Sequence, residues 1–149
     1  MGEMKIDLPH IVVLTCADPR ADPRYFLDLK PTDGILYFHN VNGHVAAIID
    51  DILALDSFIG ITDIMVVHHT DCGATHFTDD MIRTSLKNRL PNHEEIDKMA
   101  FGAVSDLEQS IRDDLAILKA SPLMRKELLD RSVGFIYDIK TGKLNPVEE

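Results

Sequence analysis

The sequence predicts an α/β fold with a central, mainly parallel sheet of four to five strands flanked by helices. Short continuous apolar runs are typical of strands that are buried on both faces. Segments with apolar residues at helical spacing separate these runs, so predicted strands and helices alternate along the chain. Turn signals rich in Gly, Pro and Asp bound several of the elements.

Four apolar runs predict the strands. They cover residues 10–15, 34–38, 64–68 and 133–139, and they are rich in β-branched or aromatic residues. The sequence Lys-Thr-Gly-Lys at 140–143 then predicts a turn that can return a short fifth strand at the edge of the sheet.

Apolar residues at helical spacing predict four helices between these strands. The first covers residues 45–59, where Gly60 ends the pattern. The second covers about 78–90 and begins at a threonine that can cap it. The third covers about 103–119 and ends before a Ser-Pro pair, and a short fourth covers 122–130.

Length and charge restrict the function classes. The chain has 149 residues, 15 Lys+Arg and 25 Asp+Glu, which gives a net charge of −10 and predicts one domain over residues 1–149. This charge repels phosphate backbones and anionic membranes, so we expect no nucleic acid or membrane partner. Residues 1–5 precede no long apolar stretch, so we expect no signal peptide and a cytoplasmic location.

Metal-ligating residue types follow two of the predicted strands. Cys16 follows the first strand, and His69 and Cys72 follow the third. Ligands bind at the carboxyl ends of parallel strands, so these side chains converge if the two strands are neighbours. Two thiolates and one imidazole with one open position are typical of a catalytic zinc site. The alternative is an ordinary buried cysteine and a loop histidine.

Asp18 and Arg20 lie in the loop after the first strand. A carboxylate two residues from a candidate ligand can contact a metal or a group bound to it, and an adjacent guanidinium can hold that carboxylate in a bidentate pair. The alternative is a solvated ion pair that contributes only ~0–1 kcal/mol. Motifs for phosphate loops, dinucleotide binding and thioredoxin-type exchange are absent from the sequence.

These motifs together resemble the β-class carbonic anhydrases. The pattern Cys-x-Asp-x-Arg at 16–20 is followed by His-x-x-Cys-Gly at 69–73. The resemblance continues through 77–80 to 134–138 and 141–144, so it covers most of the chain in the short form of the family. It implies a β-carbonic-anhydrase-like fold and hydration of carbon dioxide to bicarbonate by a zinc-bound hydroxide.

The resemblance also implies a role for each matching residue. The zinc ligands would be Cys16, His69 and Cys72, and the backbone N–H of Gly73 would face the substrate. In the active form Arg20 would hold Asp18 away from Zn²⁺, whereas in a closed form Asp18 would take the fourth coordination position. The substrate would be small and uncharged, and the chain would form a homodimer or homotetramer. Burial of the apolar helix at 45–55 fits such a partner, or alternatively the core of one chain.

Residues 39–43 depart from the family pattern. They read His-Asn-Val-Asn-Gly, where the family usually has Arg-Asn-Ala-Gly-Gly. We expect the larger Val41 and the polar Asn42 to reshape the floor of the pocket. Carbonyl sulfide and carbon disulfide hydrolases share this scaffold, so these substrates are the alternative to carbon dioxide. A non-catalytic zinc protein with Asp18 on the metal is a third hypothesis.

Four histidines are expected near the mouth of the site, where imidazole could carry protons out of it. The alternative for each is a packing or surface role. They are His39, His44, His68 and His76.

Overall fold

The computed structural model describes residues 10–149, and a five-stranded sheet forms its centre. The strands are β1 (Ile11–Cys16), β2 (Ile35–Asn40), β3 (Asp63–His69), β4 (Ser132–Tyr137) and β5 (Leu144–Val147). Their order is β2-β1-β3-β4-β5, with β5 antiparallel to β4 and all other neighbours parallel. The predicted fold class is confirmed, including the fifth strand at the edge. The expectation of no signal peptide concerns residues 1–5, which lie outside the described residues.

The α-helices of residues 10–149 connect and cover these strands. They are α1 (Pro23–Phe26), α2 (Ile49–Phe58), α3 (Asp79–Arg89), α4 (Leu107–Lys119) and α5 (Lys126–Asp130). None of the helices in this range is long and apolar enough to span a bilayer. The second predicted helix matches α3, whose N-cap Thr78 accepts a hydrogen bond from the backbone N–H of Met81.

The helix predicted over 45–59 begins later than expected. Residues 45–48 form a 3₁₀ turn, and α2 starts only after Ile48, whose backbone leaves the helical region (φ −121°, ψ 6°). The carboxylate of Asp114 in α4 accepts a hydrogen bond from the backbone N–H of Val45 at 3.2 Å. This tertiary contact ties the start of the segment to α4, which apolar periodicity along one segment does not reveal.

The helix predicted from residue 103 also begins later. Asp106 caps α4 by accepting a hydrogen bond from the N–H of Gln109 at 3.0 Å. Before it, the N–H of Val104 donates to the carbonyl of Ala74 at 2.9 Å, so this segment is tied to the loop after β3 instead of joining the helix. Of the short helix predicted over 122–130, only residues 126–130 are helical, and these form α5.

Apolar side chains cover both faces of the central strands β1 and β3. Alternate residues of these strands face the α4 side or the opposite side, as the two-residue period of a strand requires. Burial on both faces fixes the positions of these two strands, and their carboxyl ends therefore form a stable base for a site. The α4 side includes Val12, Leu14, Ile64, Val66, Ile111 and Leu115, and the opposite side includes Val13, Ala21, Val67 and Tyr137.

Candidate metal centre

Neighbouring strands bring the three predicted ligands together. Because β1 pairs with β3, Cys16 lies beside the segment that carries His69 and Cys72. The potential ligand atoms of these side chains all lie within 4.8 Å of one another, and the two Sγ atoms are 3.8 Å apart. All three residues are buried. We call this set the candidate metal centre.

The imidazole of His69 has the tautomer that a metal ligand needs. Its Nδ1–H donates to the backbone carbonyl of Thr70 at 2.8 Å, which leaves a lone pair on Nε2. Nε2 is buried and has no hydrogen-bond partner among the described residues. A buried polar atom without a partner costs about 1–3 kcal/mol, and a metal ion would remove that cost.

The two cysteine sulfurs lie within hydrogen-bond distance of each other, and either of them can be the donor. The hydrogen bond from Cys72 lowers the pKa of Cys16 to about 4, and the same contact together with burial raises the pKa of Cys72. One sulfur is therefore readily available as a thiolate, the form that binds metals. Two sulfurs and one imidazole nitrogen fit Zn²⁺, since these are its usual ligands in proteins. The structure thus contains a side-chain group that can hold a metal ion.

Arg20 holds Asp18 at the edge of this centre. Its Nη2 lies 2.7 Å from Asp18 Oδ2, and its Nε lies 3.1 Å from Oδ1. The guanidinium lowers the pKa of Asp18 to about 2. Asp71 holds Arg20 from the other side, with 3.1 Å between Nη1 and Asp71 Oδ2. Asp18 Oδ2 lies 3.9 Å from His69 Nε2, so the carboxylate is ionised and paired with arginine beside the ligand set.

Gly73 lies directly after Cys72 and begins a short 3₁₀ turn that ends at Thr75. The residue is exposed, and apart from its two chain neighbours no heavy atom of the described residues lies within 4 Å of the position where a Cβ would be. The backbone is thus accessible at the position where the resemblance implies a contact with substrate.

The loop that departs from the family pattern packs against the metal centre. Asn40 closes it by bonding both the N–H and the carbonyl of His44. A Cβ on Gly43 (φ 75°) would lie 2.8 Å from the backbone carbon of Thr15, so only glycine allows the loop to approach β1 this closely. Asn42 is fully buried, whereas Val41 is 52% exposed. The side chain of Val41 thus faces solvent in the single chain, and its place in the floor of a pocket stays a prediction.

One predicted proton carrier is misplaced. His68 is completely buried rather than near the mouth, because β3 directs it into the core beneath α4. Its Nδ1 lies 2.6 Å from Ser110 Oγ, and its Nε2 lies 3.0 Å from Asp114 Oδ2. His44 joins this group, with Nδ1 3.0 Å from the same carboxylate oxygen. We call His44, His68 and Asp114 the buried histidine cluster.

The other two histidines are exposed. His39 contacts Thr15, with 3.0 Å between Nδ1 and Oγ1, and His76 contacts Asp71, with 3.3 Å between Nε2 and Oδ1. Sequence reasoning missed Asp114 altogether. Its signal was a carboxylate within the apolar stripe of α4, directly before Leu115.

Comparison with known proteins identifies the family. The family model described as carbonic anhydrase matches residues 11–144. Beta-carbonic anhydrase 1 of Mycobacterium bovis is 30% identical over 143 residues, which covers 93% of this chain and 82% of that protein. The carbon disulfide hydrolase of Saccharolobus solfataricus is 29% identical over 156 residues, covering 89% and 74%.

Solved structures agree with this result. A carbonic anhydrase from Streptococcus mutans superposes with a TM-score of 0.84 at 31% identity, covering 99% of this chain and 87% of that one. A carbon disulfide hydrolase gives a TM-score of 0.70 at 22% identity over 95% and 81% of the two chains, a likeness of fold. The motifs, the sheet order and these matches lead to one conclusion: the chain belongs to the β-carbonic anhydrase family.

Proposed function

We propose that this protein hydrates carbon dioxide to bicarbonate with zinc as its cofactor. The observation that carries the proposal is the buried Nε2 of His69, which has no hydrogen-bond partner among residues 10–149 and lies beside the hydrogen-bonded sulfurs of Cys16 and Cys72. Cys16, His69 and Cys72 would hold the ion. Bound zinc would act as a Lewis acid that lowers the pKa of water toward ~7 and so supplies a nucleophile at neutral pH.

The Asp18–Arg20 pair orients this nucleophile. Asp18 is ionised because Arg20 lowers its pKa to about 2, so its carboxylate accepts a hydrogen bond throughout the neutral range. Such a bond aims a lone pair of the attacking oxygen at the substrate carbon. Arg20 in turn keeps the carboxylate beside the ligand set, and Asp71 braces Arg20. The backbone N–H of Gly73 meets the oxygen on which negative charge develops.

The charges at the site favour a small uncharged substrate. Arg20 is engaged by Asp18 on one side and by Asp71 on the other. The guanidinium therefore offers no unpaired charge to a phosphate or carboxylate group. A linear, uncharged molecule such as carbon dioxide needs no such charge, since its carbon is already electrophilic.

Hydrolysis of carbonyl sulfide or carbon disulfide is the second candidate function. The similarity to the Saccharolobus solfataricus carbon disulfide hydrolase favours it, and so does the altered loop with its buried Asn42. In this reaction water adds to the same carbon, and a carbon–sulfur bond breaks to release hydrogen sulfide. Carbonyl sulfide and one water give carbon dioxide and one hydrogen sulfide, whereas carbon disulfide and two waters give carbon dioxide and two. A less favoured function is a non-catalytic zinc protein, because Asp18 is held by Arg20 rather than lying against the ligand atoms.

We also propose that the chain acts as a cytoplasmic homodimer or homotetramer. The exposed apolar side chains at the end of α2 support assembly, since Phe58 is 87% exposed. The solved Sordaria macrospora β-carbonic anhydrases of the same fold are described as tetrameric. Light scattering during size-exclusion chromatography tests the assembly, and a monomeric mass at micromolar concentration would contradict it.

One purified sample decides between the candidate activities. We expect about one zinc per chain by elemental analysis. Stopped-flow carbon dioxide hydration and hydrogen sulfide release from both sulfur substrates are then measured on that sample. Faster hydration of carbon dioxide supports the first proposal, and faster sulfide release supports the second. Zinc without either activity supports the non-catalytic alternative, and faster turnover of phosphate esters or peptides would refute an uncharged substrate.

A further inference from the structure

The side chain of Asn42 connects the candidate metal centre to the buried histidine cluster. Asn42 is fully buried in a left-handed backbone conformation (φ 65°), which asparagine tolerates better than most residues. Its Oδ1 lies 3.4 Å from Cys72 Sγ, and its Nδ2 lies 3.3 Å from His44 Nε2. The amide therefore bonds to a candidate ligand at one end and to an imidazole at the other.

The surroundings of His44 require a hydrogen on both ring nitrogens. Nδ1 lies 3.0 Å from Asp114 Oδ2, and Nε2 lies 3.0 Å from the backbone carbonyl oxygen of Gly102. Both oxygens only accept hydrogen bonds, so each nitrogen must donate one. His44 is thus an imidazolium paired with a carboxylate, and the contact with Asp114 raises the pKa of His44 accordingly.

This charge state decides which way the amide of Asn42 faces. With Cys72 as a thiol, the S–H donates to Oδ1, but the amide NH₂ then faces the Nε2–H of His44, and two donors meet. A half-turn about Cβ–Cγ exchanges the oxygen and the nitrogen. The oxygen then shares the Nε2–H of His44 with the carbonyl oxygen of Gly102. The NH₂ group donates to Cys72, which requires the sulfur to be a thiolate. Metal binding makes it one.

We propose that Asn42 is a positioning residue for the metal centre, donating its side-chain NH₂ to the Cys72 thiolate and accepting from His44 at its oxygen. Asp114 holds His44 in the form that fixes this orientation. The inference rests on the proposed zinc function. Outer hydrogen bonds of this kind orient a ligand and reduce the charge that its sulfur carries.

Substitutions at position 42 test the role on the full chain. Asn42→Asp keeps the shape but places a carboxylate against the thiolate, and Asn42→Gly removes the amide while suiting the left-handed backbone. We expect zinc affinity, measured by competition with a chromophoric chelator, to fall by about 10–100-fold in both variants. The affinity of Asn42→Asp should be lower than that of Asn42→Gly. Asn88→Asp makes the same charge change at an exposed site of α3 and should leave affinity within about twofold.

Cobalt substitution gives a readout that loss of packing alone would not produce. Without the hydrogen bond the sulfur is more electron-rich, so the thiolate-to-cobalt charge-transfer band of Asn42→Gly should move to lower energy. Unchanged zinc affinity and an unshifted band in both variants would overturn the positioning role while leaving the zinc site intact. Failure of the wild-type chain to bind zinc would overturn the proposed function and, with it, this inference.

A measurement on the wild-type protein does not depend on variants that fold. In protein loaded with an NMR-active cadmium isotope, a hydrogen bond from the amide to the sulfur transmits scalar coupling to the metal. We expect coupling between cadmium and one side-chain amide proton of Asn42, and two protonated ring nitrogens on His44. Absence of the coupling, with a neutral His44, would overturn the proposal.

Discussion

Two buried clusters lie close together in this molecule, and both contain three potential metal ligands within 4.8 Å of one another. In the buried histidine cluster, both ring nitrogens of His44 and His68 have hydrogen-bond partners. In the candidate metal centre, His69 Nε2 has no such partner among residues 10–149. Ligand types alone therefore do not distinguish a metal site from a structural network. The distinguishing feature is whether every potential ligand atom already has a hydrogen-bond partner.

The difference has a chemical cause. Asp114 supplies negative charge and two acceptor oxygens, so it satisfies two imidazoles and the N–H of Val45 without a metal. Cys16 and Cys72 bond to each other, and His69 Nε2 has no hydrogen-bond partner within the part of the chain that the structure describes. A cation therefore completes the candidate metal centre, whereas the hydrogen bonds of the buried histidine cluster are already complete.

Removing a ligand should have the largest effect. Cys72→Ala leaves two ligands, so we expect zinc content to fall from about one per chain to nearly none, with loss of the stability that the metal confers. Asp114→Asn in the other cluster should still bind about one zinc when zinc is in excess. Elemental analysis after dialysis checks both. Full zinc occupancy in Cys72→Ala would show that the candidate metal centre is not the zinc site.

Changes beside the ligands should strongly lower activity but retain metal. We expect Arg20→Gln to release Asp18 and lower the hydration rate, and Asp18→Asn to lower it by roughly 10²–10⁴-fold, as for a lost positioning group. Arg24→Gln is the matched control, since Arg24 binds Asp22 in the same geometry one turn later, 2.7 Å between Nη2 and Oδ2. Near-normal activity in Arg20→Gln would show that this pair does not control the site.

Disrupting the buried histidine cluster should lower stability instead. Asp114→Ala removes the partner of two imidazoles, and breaking a buried charge pair costs about 3–5 kcal/mol. Because His44 is partly exposed, we expect about 3 kcal/mol in the free energy of unfolding, measured with urea on zinc-loaded protein. Asp114→Asn keeps the shape and should lose less. A loss below about 1 kcal/mol in Asp114→Ala would mean that the cluster is not a stabilising network.

The smallest expected effect is a pH dependence of stability. The hydrogen bond to Asp114 raises the pKa of His44, so the folded protein binds that proton more tightly than the unfolded chain. The stabilisation is fully present below the ordinary histidine pKa of 6.5 and is lost as pH rises through the raised value. In His44→Gln the free energy of unfolding should not show this decline with rising pH. Equal slopes of unfolding free energy against pH in both proteins would contradict the assignment of an imidazolium.

Acid affects the same pair in the opposite sense. Burial by itself raises the pKa of Asp114, but hydrogen bonds from His44 and His68 outweigh it, and the pKa of Asp114 is lowered. Its contribution is therefore present above the ordinary value of 3.8 and lost as pH falls through the lowered one. The pair of His44 and Asp114 should therefore stabilise the fold most between pH 3.8, the ordinary pKa of aspartate, and pH 6.5, the ordinary pKa of histidine.

Local patterns determined the sheet and the candidate ligands. Apolar runs and their spacing indicate buried parallel strands, because burial on both faces favours continuous apolar residues over an alternation with polar ones. Cys16 is the last residue of β1, and His69 is the last residue of β3, with residues 70–73 directly after it. The position of β1 beside β3 in the sheet therefore brings them together. The strands and the ligand types depend on neighbours in sequence, which a single sequence reveals. The pairing of β1 with β3 is a condition of the prediction, and the structure fulfils it.

Only the tertiary structure decided the starts of α2 and α4 and the roles of the polar residues around the site. The 3₁₀ turn at 45–48 and the extended segment before α4 follow from hydrogen bonds to Asp114 and Ala74, which are distant in sequence. Likewise, the burial of His68 and the contact of Asn42 with Cys72 depend on how the loop after β2 packs against α4 and β3. Packing between elements determines the hydrogen-bond partners of a side chain. The apolar periodicity of one element therefore does not predict them.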